Sequence, residues 1–101
     1  MIIYNVTTQI DSSVHDEWLE WMKLIHIPEV MHTGCFIEYR ILKVLADEET
    51  GGNTYSFQYT CKTMNNFREY EKHYAPKIRA DYNAKYKDKF VAFRTLLEVV
   101  S

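Results

Sequence analysis

Hydrophobic and polar positions follow two different periods in the first thirty residues. Apolar side chains occupy positions 2, 4, 6 and 10 and polar ones occupy positions 5, 7 and 9, which predicts a half-buried strand. From residue 14 the spacing changes to three or four, which predicts a helix whose apolar stripe is Val14, Trp18, Trp21, Met22 and Ile25. Asp11, Ser12 or Ser13 is placed to cap this helix. Pro28 predicts that the regular helix ends or kinks near His26.

The middle of the chain has the pattern of a β-hairpin. Residues 35–45 follow Gly34 and are apolar on both sides, so we expect a largely covered strand there. Residues 47–53 are acidic and glycine-containing, which is typical of a solvated turn. Residues 54–61 then alternate between aromatic or cysteine side chains and polar ones. The two segments together predict a hairpin with a long loop.

A second helix and a final strand complete the pattern. Thr63, Asn65 or Asn66 can cap a helix whose apolar face is Phe67, Tyr70, Tyr74, Ile78 and Tyr82, with a kink expected at Pro76. Residues 90–100 are predicted to form a long strand. The order β-α-β-β-α-β predicts an α+β, ferredoxin-like domain spanning residues 1–101, with a four-stranded antiparallel sheet and both helices on one face.

Composition and charge narrow the class of protein. The chain has 101 residues, 47% hydrophobic and 26% charged, which suits one globular domain. The net charge of −2 provides no basic field, so we expect neither a nucleic-acid partner nor a membrane partner. Cys35 and Cys61 match no disulfide or zinc pattern and are expected to be buried free thiols. We find no signal-peptide pattern and expect a cytoplasmic protein.

One sheet face is left uncovered when both helices pack on the other. We assign polar side chains of the central strands to that face, together with large apolar residues such as Phe36, Leu42 and Leu96 of the outer strands. A solvated face does not require such residues, so we expect a homodimer formed through the sheet face. The candidates for this face are Glu38, Arg40, Gln58, Arg94 and Glu98. Their charges would pair across the interface or, alternatively, bind an anionic ligand at the dimer seam.

Several strings of residues also carry a resemblance to a known family. They occupy residues 18–22, 26–30, 33–36, 73–79 and 90–98, beginning with Trp18-Leu19-Glu20-Trp21-Met22. With these strings the chain resembles a family of small bacterial proteins known as a domain of unknown function. That family is similar in fold to the dimeric α/β-barrel superfamily, in which two ferredoxin-like sheets pair face to face. The superfamily includes cofactor-free monooxygenases, haem-degrading enzymes and muconolactone-isomerase-like proteins. The resemblance implies fold and dimer but transfers no catalytic residue.

His26 is the first candidate for chemistry. Helical spacing places it at the edge of the apolar stripe, beside Met22, where a half-buried imidazole can act as a general base. The alternative is a histidine that caps the end of the helix by binding free carbonyl groups. The spacing of His26, His32 and Cys35 matches no metal site, His15 cannot share a helix face with the two acids that follow it, and we expect no metal.

Aromatic side chains form a second group of candidates. They lie on the predicted helix side of the sheet, where they either fill the core or line a small-molecule pocket. The candidate pocket residues are Trp21, His26, Tyr39, Tyr55, Tyr59 and His73. His73 points toward solvent on a continuous helix, and only the kink at Pro76 would turn it inward.

Two classes of function are compatible with these patterns. The first is a small homodimeric module that binds a ligand or a protein partner. The second is a cofactor-independent enzyme, an isomerase or monooxygenase, that acts on an aromatic or enolisable small molecule with His26 as the base. Haem binding, with His26 or His73 as axial ligand, is a third alternative. We expect no cofactor. A cavity that contains both His26 and a tyrosine hydroxyl would favour the enzyme.

Overall fold

The order of strands and helices follows from the alternating and helical periods of the sequence. The computed structural model describes residues 1–45 and 53–101, so nearly all of the predicted turn at 47–53 lies outside the described residues. The strands are β1 (Ile2–Ile10), β2 (Glu38–Lys43), β3 (Thr54–Cys61) and β4 (Phe90–Glu98). The helices are α1 (His15–Trp21), α2 (Ile27–Met31), α3 (Met64–His73) and α4 (Ala75–Lys85), with a short 3₁₀ turn, Ser12–Val14, before α1.

The four strands form one antiparallel sheet in the order β2-β3-β1-β4. This order results when two βαβ units interlock, so the predicted ferredoxin-like fold is confirmed. Tyr4 of β1 lies opposite Tyr59 of β3 and Leu96 of β4. The rings of Trp18 and Phe57 are 5.6 Å apart, which shows that the helices pack on the side of the sheet that carries these residues.

Each helical segment is divided by a proline, as the sequence predicts. Between α1 and α2 the residues Met22–His26 form a π-helical turn, and the Ile27 N–H bonds to the carbonyl of Met22, five residues earlier. Pro28 then lies in the first turn of α2, where its missing N–H costs no hydrogen bond. Pro76 has the same position in α4, after a break at Tyr74. The wider π turn is how the chain accommodates Pro28 without losing the helix.

The second strand is shorter than predicted. We expected residues 35–45, whereas β2 covers Glu38–Lys43. Gly34 has a φ of +77°, a conformation that suits glycine, and it turns the chain before the strand begins. Phe36 is consequently part of the core, 4.9 Å from the ring of Tyr70. Its assignment to the uncovered sheet face is therefore wrong.

The core is an aromatic layer between the helices and the sheet. Trp18 and Phe57 are among its fully buried members. Cys35 and Cys61 are both buried free thiols, as predicted, although Cys35 precedes β2 instead of lying within it. No helix in the described part of the chain is long and apolar enough to cross a membrane.

Candidate functional site

A cleft runs between the helices and the sheet and opens beside β4. The centre of a water-sized sphere can occupy about 40 Å³ of it, and all the unfilled space among its lining residues, open solvent included, is about 500 Å³. Asn83 of α4 and Arg94 of β4 line the cleft and are both exposed. The opening of the cleft, which we call its mouth, therefore lies between α4 and β4. The interior is lined mainly by aromatic and aliphatic side chains: Tyr4, Val6, Met22, Val30, Phe57, Tyr59, Tyr70, Ile78, Tyr82 and Phe90.

His26 lines this cavity at the end of the π turn. Its ring stacks on Trp21 at 5.4 Å and meets the edge of Tyr82 at 5.2 Å. Burial lowers the pKa of His26 to about 4, because the charged imidazolium loses its hydration. The imidazole is therefore neutral near pH 7. Its side chain makes no hydrogen bond to any described residue, so the helix-capping alternative for His26 is wrong.

Two arginines converge on one buried phenol near the mouth. The Nη2 of Arg79 donates to the Tyr4 hydroxyl oxygen at 2.7 Å, and the Nε of Arg94 donates to the same oxygen at 3.0 Å. Arg79 also forms a two-pronged ion pair with the carboxylate of Glu71. Burial works to lower the pKa of Arg79, but the hydrogen bonds to Glu71 and Tyr4 outweigh it and raise that pKa. Glu71 thus compensates the charge of Arg79.

Tyr59 lines the cleft and carries a buried, unpaired hydroxyl. Its side chain is 2% exposed and its hydroxyl has no hydrogen-bond partner. Burial, followed by the neighbouring phenols of Tyr70 and Tyr4, raises the pKa of Tyr59 well above its usual value, so the hydroxyl keeps its proton. A buried hydroxyl without a partner is uncommon and costs about 1–3 kcal/mol. The Tyr59 hydroxyl is thus an unpaired donor and acceptor on a residue that lines the cleft.

Tyr82 is an aromatic lining residue whose hydroxyl is already paired. It accepts a hydrogen bond from the indole nitrogen of Trp18 at 2.8 Å. Burial raises the pKa of Tyr82 to about 12, which keeps the phenol protonated. Its ring therefore forms a fixed wall beside His26.

Three other residues that were predicted to line the pocket, Trp21, Tyr39 and His73, do not line the cleft. Trp21 does not line the cleft but stacks on His26. Tyr39 lies on the helix side of edge strand β2 and is 47% exposed. His73 is half exposed, lies 3.3 Å from the carboxylate of Glu69, and borders a surface groove between α2 and α4. The break at Tyr74 does not turn His73 into the cavity.

Tyr55 belongs to a hydrogen-bonded chain that the sequence analysis did not identify. Its hydroxyl lies 2.7 Å from the Nε2 of His15, and the Nδ1 of His15 lies 2.8 Å from the carboxylate of Asp16. Burial and the charge of Asp16 raise the pKa of Tyr55. This chain ties the start of α1 to β3, and its members lie outside the cleft. A histidine and a tyrosine forty positions apart offer no local signal of this contact.

The pairing of β4 with β1 corrects part of the predicted dimer face. Arg94 lies opposite Val6, and Glu98 lies opposite Ile2, so both are on the helix side of the sheet. Ala92 and Leu96 are on the helix side for the same reason. The assignment of Arg94, Leu96 and Glu98 to the uncovered face is therefore wrong. The residues of β4 on that face are Val91, Phe93, Thr95 and Leu97.

The predicted positions on β2 and β3 agree with the strand pairing. Glu38 pairs with Thr60, and Arg40 pairs with Gln58, all on the uncovered face. The Nη2 of Arg40 donates to the Gln58 side-chain oxygen at 3.2 Å. The charged candidates that remain on this face are therefore Glu38 and Arg40.

Among the described residues that line the cleft, His26 is the one His, Cys, Asp or Glu side chain. In the described part of the chain, no group of three or more His, Cys, Asp or Glu side chains is arranged to hold a metal ion. The cleft combines a neutral base, a free phenol and two guanidinium groups within apolar walls. Such a set can accept a proton from a ligand and stabilise the negative charge that results.

Known structures with the same architecture extend over essentially the whole chain. A dimeric ferredoxin-like protein from an uncultured marine organism is 13% identical, with a TM-score of 0.74 and coverage of 100% of this chain and 96% of that one. SnoaB, a cofactor-independent oxygenase from Streptomyces nogalater, is 11% identical, with a TM-score of 0.71 and coverage of 99% and 94%. At these identities the similarity shows the fold.

A third known structure has the same fold, and the profile of one protein family matches the chain. An ethyl tert-butyl ether D (EthD) family protein from Bacillus halodurans is 9% identical, with a TM-score of 0.68 and coverage of 99% of this chain and 100% of that one. No curated protein matches the chain. The profile of one family matches residues 1–100, in agreement with the resemblance noted in the sequence. The chain therefore belongs to the family described as domain of unknown function (DUF4286).

Proposed function

We propose that the protein binds a small, largely flat organic molecule in the cleft between its helices and its sheet. The observation that carries this proposal is the hydroxyl of Tyr59, which is buried in the cleft without a partner. A polar atom of a ligand would pair with it and remove the cost of burying it alone. The aromatic walls supply the apolar contact area that such ligands require.

The shape of the cleft indicates how a ligand would enter. The space that water-sized atoms can occupy in the cleft is about 40 Å³, enough for only a few water molecules, and the cleft is open to solvent beside β4. A ligand would therefore insert one flat end toward Tyr59 and leave its other end near Arg94. The side chains of the mouth would move apart to admit a complete ring.

We also propose that the protein functions as a homodimer through its uncovered sheet face. Val91 and Phe93 on that face of β4 are 70% and 62% exposed, and Leu42 on β2 adds to the apolar surface. A second copy of the same face would cover these side chains. The dimeric ferredoxin-like protein that shares the fold supports this arrangement.

A screen of small-molecule fragments against the wild type and a variant with a narrower cleft tests the binding proposal. Ligand-detected NMR with aromatic and carbonyl fragments would be run on the wild type and on Ala92→Leu, which adds volume to the cleft lining. We expect fragments to bind the wild type and to lose binding in Ala92→Leu. Ala84→Leu, at an exposed position of α4, is the matched control. Equal binding to wild type and Ala92→Leu, or no binding at all, would contradict the proposal.

A second candidate function is cofactor-independent catalysis with His26 as general base. The favouring observation is that the imidazole is neutral, free of hydrogen bonds and exposed to the cleft. It would take a proton from a carbon next to a carbonyl group. Tyr59 would then donate a hydrogen bond to the enolate oxygen. SnoaB, which shares the fold, is a cofactor-independent oxygenase, so the architecture is compatible with such chemistry.

Proton exchange is the direct test of catalysis. Enolisable fragments that bind would be incubated with the protein in deuterated water, and loss of the α-proton signal would be followed by NMR. We expect His26→Ala to slow exchange by about 100-fold or more. His32→Ala, at an exposed histidine outside the cleft, is the control. Unchanged exchange in His26→Ala would contradict a role as base.

The haem alternative has less support. A porphyrin with His26 as axial ligand requires a wide space around that residue, whereas water-sized atoms can occupy only about 40 Å³ of the cleft. His73, the other candidate ligand, lies in a surface groove outside the cleft.

A further inference from the structure

Within the described part of the chain, the guanidinium group of Arg94 has no carboxylate partner. Among the described residues it makes no ion pair, and its one hydrogen bond goes from Nε to the hydroxyl oxygen of Tyr4. The neighbouring Arg79 bonds to the same oxygen but is already compensated by Glu71. Two cations therefore meet at one phenol oxygen, and Glu71 is the one carboxylate among the described residues that pairs with either of them. The cluster has an excess of one positive charge.

The free donors of Arg94 stand at the mouth of the cleft. A guanidinium has five N–H groups in a planar fork, and only the Nε–H is used here. The four N–H groups on Nη1 and Nη2 have no protein partner in the described part of the chain. Arg94 is exposed and also lines the cleft, so a ligand can reach these donors. Two parallel N–H groups at one end of a guanidinium match the two oxygens of a carboxylate.

A second polar feature lies deeper in the same cleft. The hydroxyl of Tyr59 is unpaired, and the side chain is 2% exposed. The surfaces between Tyr59 and Arg94 are mainly aromatic and aliphatic. A ligand that contacts both Arg94 and Tyr59 must have a charged group for Arg94, an apolar body, and a polar atom for Tyr59 at its far end or on its ring.

We propose that Arg94 binds the carboxylate of an aromatic or enolisable carboxylic acid, whose body extends into the cleft toward Tyr59. The Tyr4–Arg79 pair holds the Arg94 guanidinium in position through the shared hydroxyl. The excess of one positive charge suits a monoanion, because a phosphate ester would leave a second negative charge uncompensated. This inference rests on the proposed binding function of the cleft and specifies its ligand class.

Matched pairs of acids and neutral amides provide the test. The ligands are phenylacetate, 3-phenylpropionate and indole-3-acetate, each compared with its primary amide by isothermal titration calorimetry at pH 7. We expect the acids to bind the wild type about tenfold more tightly than the amides. In Arg94→Gln we expect this preference to disappear while the affinity for the amides is retained. Arg68→Gln, at an exposed arginine of α3 outside the cleft, should keep the preference.

Changing the ionic strength and replacing Arg94 by lysine provide two further tests of the carboxylate site. Raising the ionic strength should weaken acid binding to the wild type and leave amide binding unchanged. Arg94→Lys retains the charge but loses the planar fork, so we expect an intermediate preference. Circular dichroism spectra of the variants should match the wild type, since Arg94 is exposed.

The outcomes separate this inference from the proposal on which it rests. Equal affinity for acids and amides, with amide binding lost in Ala92→Leu, would overturn the carboxylate site and leave the cleft as the binding site. An acid preference that persists in Arg94→Gln would also overturn the role of Arg94. If none of the six compounds binds, the ligand class is wrong, and the fragment screen with Ala92→Leu then decides whether the cleft binds ligands at all.

Discussion

Arg94 of β4 donates from its Nε to the hydroxyl oxygen of Tyr4 at 3.0 Å, on the side of the sheet that faces the helices. This contact places the Arg94 side chain in the cleft lining and away from the uncovered sheet face. The adjacent residue, Phe93, points to the opposite side and is 62% exposed. Arg94 and Phe93 are neighbours on one strand, but Arg94 belongs to the proposed ligand site and Phe93 belongs to the proposed dimer interface.

The first prediction concerns the dimer. Phe93→Glu should weaken self-association by about 100-fold, because a charge would replace a large apolar side chain on the proposed interface. Sedimentation equilibrium over a range of concentrations measures the dissociation constant. Arg94→Gln is the matched control on the other side of the same strand and should leave the constant unchanged. A dimer unaffected by Phe93→Glu would exclude this face as the interface.

The second prediction concerns pH and His26. The pKa of His26 is about 4 in the folded protein and 6.5 for an ordinary histidine, so the unfolded chain binds more protons between these values. The free energy of unfolding should therefore fall as the pH drops from 6.5 toward 4, by up to about 3 kcal/mol from this group. Urea titrations at pH 7, 5.5 and 4 measure it.

The variant that isolates this effect is His26→Phe. Phenylalanine keeps the packing on Trp21 and Tyr82 but cannot take a proton. The pH dependence of stability between 6.5 and 4 should be smaller in His26→Phe than in the wild type, whereas His32→Phe should retain the wild-type slope. The same slope in all three proteins would show that His26 is not the titrating group.

The third prediction compares two tyrosines of the cleft. Tyr59→Phe should leave the free energy of unfolding unchanged or raise it by about 1 kcal/mol, since the hydroxyl removed has no partner. Tyr82→Phe should lower it by about 1–2 kcal/mol, because the indole nitrogen of Trp18 loses its acceptor. Chemical denaturation measures both. A large loss of stability in Tyr59→Phe would reveal that its hydroxyl is paired within the folded protein.

The fourth prediction concerns the contact between His15 and Tyr55. A double-mutant cycle with His15→Ala and Tyr55→Phe should give a coupling energy of about 1 kcal/mol, the usual contribution of such a hydrogen bond. The same cycle with Tyr74→Phe, at an exposed tyrosine on another part of the fold, should be additive. Additivity in both cycles would mean that the His15–Tyr55 contact contributes nothing to stability.

The sequence by itself determined the elements of this fold and their order. Alternation predicts β1 and β3, and the three-to-four spacing predicts both helical segments. Pro28 and Pro76 predict the two breaks, because a ring without an N–H disturbs a helix locally. These features depend on side chains a few positions apart, so they can be inferred from the order of residues alone.

The tertiary structure decided which face each side chain of β4 occupies and which residues form the cleft. Residues 90–100 are apolar at odd and even positions alike, so alternation predicts a strand but not its inward face. Only pairing with β1 places Arg94 inside and Phe93 outside, since a shift of one residue would exchange them. Tyr4, Arg79 and Arg94 meet across ninety positions for the same reason: their contact depends on strand register and helix packing, which no local pattern of residues encodes.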